Sequence, residues 1–109
     1  MEVKAPAEFF DKVLSRRFDP SKAKGFEATI QITITGSEGG EWTVVIKDSK
    51  LEVRNGMHLN PSMTVKMADS DFLDLVNGKM SGERAFVNGK LKFEGSLSVA
   101  LKLLQSGLL

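Results

Sequence analysis

Residues 69–107 read DSDFLDLVNGKMSGERAFVNGKLKFEGSLSVALKLLQSG, and this stretch decides the fold. It divides into a helix, a short helix, a strand and a final helix. Asp69 or Ser70 caps the first helix, which carries Phe72, Leu73, Leu75 and Val76 and ends at Asn77-Gly78. Glu83 to Val87 fits a short helical turn stopped by Asn88-Gly89, and Leu91 and Phe93 mark a strand. Gly95-Ser96 opens the last helix and Gly107 closes it. There Leu97, Ala100, Leu101 and Leu104 keep the i, i+3, i+4, i+7 spacing of one helical face. Val99 and Leu103 widen the stripe, leaving Ser98, Lys102, Gln105 and Ser106 polar. A helix that covers a sheet needs one apolar stripe. The surplus predicts a second contact: another layer of the core, a partner chain or an apolar ligand.

Upstream, Pro6 to Phe18 reads as a helix. Pro6 suits the first helical position, Phe9, Phe10, Val13 and Leu14 share a face, and early acids and late arginines suit the dipole. Asp19-Pro20 ends it. From Phe26 to Thr35 apolar and polar residues alternate strictly, which predicts a strand with one wet face. Gly36 to Gly40 is a hairpin loop, Trp42, Val44 and Ile46 continue the inward face, and Asp48-Ser49 turns the chain into a shorter strand with Leu51 and Val53. Asn55-Gly56 stops it, so these three strands form an antiparallel meander. Met63, Val65 and Met67 mark a fourth strand. With one sheet face apolar, the helices gather there, and the expected fold is an α+β, two-layer domain over residues 1–109.

A chain of 109 residues makes one domain. Folding at this size leaves ~6,000 Å² of the unfolded chain's ~17,000 Å² exposed, enough for one core. Fifteen basic against 14 acidic side chains give a net charge of +1, which makes no electrostatic case for nucleic acid. Cysteine is absent, which excludes disulfides and thiol chemistry and fits a reducing compartment. The start MEVKAPAEFF lacks a signal peptide's pattern, and no apolar run is long enough for a membrane span. The expected location is cytoplasmic.

Catalytic chemistry finds little purchase. His58 is the one histidine, and without cysteine it builds no ordinary zinc site. No G-x-S-x-G surrounds a serine, and His58 reads as an exposed turn residue. Asp69 and Asp71 fit cap and first-turn charges better than a divalent loop. Gly78, Gly82 and Gly89 form no phosphate loop. Lys79, Arg84, Lys90, Lys92 and Lys102 read as a solvated basic face that could also hold a phosphate head group. No metal or cofactor is expected.

Three segments are similar to one known family: Met67 to Met80, M-A-D-S-D-F-L-D-L-V-N-G-K-M; Ala85 to Gly95, A-F-V-N-G-K-L-K-F-E-G; and Ala100 to Leu103, A-L-K-L. Together they resemble the sterol carrier protein type 2 family, the non-specific lipid-transfer proteins. The resemblance implies a five-stranded, mostly antiparallel sheet with helices on one face, enclosing an apolar tunnel. It implies non-catalytic binding of fatty acids, fatty acyl-CoA, sterols or phospholipids. The surplus surface of the last helix would then line the tunnel, with Phe72, Val76, Met80, Phe86, Leu97, Leu101 and Leu104 as apolar contacts and Gln105 near a head group. Expected partners are a lipid or fatty acyl ligand and a transient membrane-surface contact, for a monomer or weak dimer.

The chain departs from the family pattern in places. Ser81-Gly82 stands where the family usually shows Asn-Pro, and Ser96-Leu97-Ser98 where Asp or Asn then Met-Gly is common. Gly107-Leu108-Leu109 is not the peroxisomal tripeptide of many eukaryotic members, which favours a prokaryotic, cytoplasmic protein. Two other readings stand beside lipid carriage: an interaction or accessory module of a lipid-metabolising enzyme system, and an enzyme acting on lipid esters. The last lacks a nucleophile–base pair.

Overall fold

The computed structural model describes residues 2–21, 24–57, 60–96 and 98. Helical segment one comprises α1 (Pro6–Glu8), a π-helical turn (Phe9–Val13) and α2 (Leu14–Arg17), which run on without a break. The strands are β1 (Ala28–Thr35), β2 (Gly40–Lys47), β3 (Lys50–Asn55), β4 (Met63–Ala68) and β5 (Leu91–Gly95). Between β4 and β5 lie α3 (Asp69–Val76) and α4 (Gly82–Val87). Apart from its opening residues through Ser96 and Ser98, the expected final helix lies outside the described residues.

The five strands make one sheet in the order β3-β2-β1-β4-β5. The meander β3-β2-β1 is antiparallel, β4 runs parallel to β1, and β5 returns antiparallel to β4. Register follows the side-chain pattern. Trp42, Ile32, Val65 and Phe93 form one row across four strands, and Val53, Val44, Ile30 and Met63 form the next. A one-residue slip would turn either row to the opposite face. The helices cover this face, and Phe9, Phe10, Leu14, Phe72, Leu75, Val76 and Ala85 are buried against it.

The opposite face departs from the wet surface expected of β1. Gln31 and Thr43 are only 2% and 3% exposed. At Thr43 the start of the β3–β4 connection lies against that face. The Thr43 hydroxyl lies 2.8 Å from the Gly56 carbonyl and 3.2 Å from Gln31 Oε1, and Gly56 N–H donates to the Glu41 carbonyl at 2.9 Å. Alternation specifies which face a side chain takes, not what crosses that face afterwards. His58 falls in this connection and outside the described residues.

Helix boundaries carry the local chemistry of their ends. Asp69 is the first residue of α3, and its carboxylate accepts from Ser70 N–H at 2.8 Å and from Glu38 N–H in the β1–β2 loop at 3.1 Å. Ser81, at the departure from the family's Asn-Pro, is the N-cap of α4: its hydroxyl accepts from Arg84 N–H at 3.1 Å.

Candidate lipid-binding site

The interior between sheet and helices is aromatic. Phe10 stacks on Trp42 with centroids 4.5 Å apart and planes 17° apart, and on Phe72 at 5.4 Å and 16°. Phe9 meets Phe10 and Phe72 edge-on, each at 5.4 Å. The π-helical turn supplies both phenylalanines, closed by Leu14 N–H donating five residues back to the Phe9 carbonyl. Such turns recur at functional sites. Arg17 lies over the Phe9 ring at 5.4 Å and donates from Nη2 to the Val76 carbonyl at 2.8 Å. The segment is thereby tied to the end of α3.

The expected contact residues fall in three places. Phe72 and Val76 are buried, with Phe72 inside the ring stack. Met80 is half-buried and packs on the core's edge. Phe86 is 51% exposed, and its ring rests on Phe93 at 5.3 Å beside the outer strand β5. Val87 next to it is 80% exposed. Leu97, Leu101, Leu104 and Gln105 lie outside the described residues.

A cleft of about 330 Å³ opens at the other edge of the sheet, lined by Phe10, Asp11, Ser15, Leu51, Val53 and Asn55. None of these was among the expected contacts. The signal was present in part: Phe10, Leu51 and Val53 read as inward-facing, and the third strand reads as short. What the sequence does not give is that β3 is an outer strand whose inward face the first helical segment only half covers.

Three ion pairs stand among the described residues. Lys79 pairs with Glu2 at 3.4 Å, and Lys90 lies 4.0 Å from Asp71. Arg54 grips Glu52 with Nε and Nη2 at 2.9 and 3.1 Å, which holds the Glu52 carboxyl below its ordinary range. Among the described residues, no three His, Cys, Asp or Glu side chains converge as a metal site would require. No described helix is long and apolar enough to cross a membrane.

The model of the SCP-2 sterol transfer family matches residues 7–106, spanning both layers of this domain. The chain belongs to that family. Its members are lipid-binding and lipid-transfer domains. Human sterol carrier protein 2 is 41% identical over 68 residues, which are 62% of this chain and 12% of that protein. Hydroxysteroid dehydrogenase-like protein 2 of Xenopus laevis is 32% identical over 100 residues, 91% of this chain and 24% of that one. The chain thus spans a quarter or less of these two curated relatives. The solution structure of palmitated SCP2L2 from Aedes aegypti shares the fold at TM-score 0.74 and 22% identity, covering 96% of this chain and 93% of that one.

Proposed function

We propose that this domain binds one lipid without chemical change, holding its acyl chain between the helices and the sheet. The match to the family over residues 7–106 carries the reading. The palmitate in the name of the structurally similar mosquito protein supports an acyl ligand. Burying a sixteen-carbon chain contributes about 12 kcal/mol gross at about 0.8 kcal/mol per CH₂. Ordering and desolvation remove much of that. Methylene contacts discriminate weakly, so fatty acids, acyl-CoA, sterol-like lipids and phospholipids are all candidate ligands. Phe72, Val76, Met80, Phe86, Leu97, Leu101 and Leu104 are the proposed apolar contacts, with Gln105 near the polar end. Entry requires the stack of Trp42, Phe10 and Phe72 to shift, and the π-helical turn is the natural place for that adjustment.

Exposed Phe86 and Val87, with Arg84 and Lys90 on the same short segment, suit a transient contact with a membrane surface during loading. The absence of cysteine fits the cytoplasm as the compartment. Titration with a fluorescent sixteen-carbon fatty acid tests the reading. Saturable one-to-one binding displaced by palmitate is expected, and Leu101→Trp should lower affinity while the protein stays folded. A parent protein that takes up no probe contradicts it.

A second reading has its own support. The dehydrogenase-like relative carries a similar region as about a quarter of its length. The same domain would then present lipid to an enzyme, with Phe86 and Val87 as the docking surface.

A further inference from the structure

The cleft at the β3 edge has both polar and apolar walls. Phe10 and Asp11 come from the π-helical turn, Ser15 from α2, and Leu51, Val53 and Asn55 from the inward row of β3. Phe10 closes its inner side and is itself the middle ring of the aromatic stack. The cleft therefore abuts the interior assigned to the acyl chain. Its 330 Å³ holds about ten water-sized groups, which suits an end group and a few carbons but not a whole lipid.

The charge of these walls is one-sided. Among the described lining residues Asp11 alone is charged, and Ser15 and Asn55 add neutral donors and acceptors. Lys and Arg, which would neutralise a carboxylate or phosphate, are missing from this lining set. We infer that the cleft receives the polar end of the bound lipid and selects a neutral hydrogen-bonding end, a hydroxyl or ester, over a free carboxylate or phosphate. Ser15 and Asn55 bond the neutral group, Leu51 and Val53 cover the adjoining carbons, and Asp11 repels an anion. This rests on the lipid-binding reading and adds a ligand class to it.

Two fluorescent probes test it on the full chain, with identical sixteen-carbon chains and fluorophores, one ending in an alcohol and one in a carboxylate. At neutral pH and low salt the parent should bind the alcohol about tenfold more tightly, the size of a modest like-charge penalty. Asp11→Asn, at an exposed position, should close most of that gap by strengthening carboxylate binding, with the alcohol unchanged within about twofold. Adding Asn55→Arg, also at an exposed position, should reverse the preference. Equal affinities in the parent, or a gap that Asp11→Asn leaves unchanged, overturn the assignment of the cleft while lipid binding stands. If neither probe binds saturably, the lipid-binding reading itself falls, and this assignment with it.

Discussion

The carboxamide of Asn77 pairs with the backbone of Val3 much as one strand residue pairs with another. Val3 N–H donates to Asn77 Oδ1 at 2.7 Å, and Asn77 Nδ2 donates to the Val3 carbonyl at 2.9 Å. Val3 is 3% exposed, so water does not replace these bonds. With Arg17 on the Val76 carbonyl at 2.8 Å, the end of α3 is held by a residue ahead of the first helical segment and by that segment's last residue. That fixes Phe9 and Phe10 against Phe72.

Asn77→Ala should therefore cost ~1–3 kcal/mol, because it leaves a buried donor and acceptor unmet. Asn77→Asp keeps the acceptor, loses the donor and should fall between. Urea unfolding of both variants measures this, and an unchanged midpoint for Asn77→Ala would show the clamp to be idle.

Gly36 sits under the Asp69 carboxylate. Its φ is +107°, and a Cβ there would lie 2.5 Å from the carboxyl carbon. Gly36→Ala should cost more than about 1 kcal/mol, since both backbone and neighbour oppose it. Asp69→Ala should cost about 1 kcal/mol through the lost acceptor for the Ser70 and Glu38 N–H groups. In the double variant the steric part disappears, so the summed effect should fall short of additivity. Thermal melts of the three proteins decide.

Asp48 and Ser49 connect β2 and β3 with φ of 54° and 59°. Two successive left-handed residues make the hairpin turn that favours Asp-Gly. Ser49→Gly relieves strain at the second position and should stabilise by ~0.5–1 kcal/mol, offset in part by unfolded-state entropy. Calorimetry should record a rise of a few degrees in Tm, and a fall would mean the serine is not strained.

Val87→Glu places a charge on the exposed apolar edge. Stability and fatty-acid affinity in solution should hold, because Val87 is 80% exposed. Transfer of fluorescent lipid to anionic vesicles should slow several-fold, as apolar contact and basic attraction both weaken. Unchanged transfer would remove this edge from the membrane contact.

The strands were legible because alternation and register are one signal: Ile30, Ile32 and Ile34 had to share a face, and the rows through Val44, Trp42, Met63 and Val65 follow. The stops at Asn77-Gly78 and Asn88-Gly89 were legible from turn chemistry. Four features were not. The π-helical turn changes hydrogen bonding without changing composition. The burial of Gln31 and Thr43 depends on what packs against that face in three dimensions, which alternation does not encode. Asn77 read as a helix stop, while its side chain's task is set by Val3, 74 residues away. The cleft was hidden for the same reason: Asp11 read as a dipole charge, and only strand order brings it opposite Asn55.

Native mass spectrometry of the freshly purified protein, with extraction of whatever lipid accompanies it, tests the central claim most directly. A species heavier than the bare chain by the mass of one lipid is predicted, lost on delipidation and restored by adding a single sixteen-carbon lipid. A bare chain that forms no one-to-one adduct with fatty acid, fatty alcohol, phospholipid or sterol would contradict lipid binding.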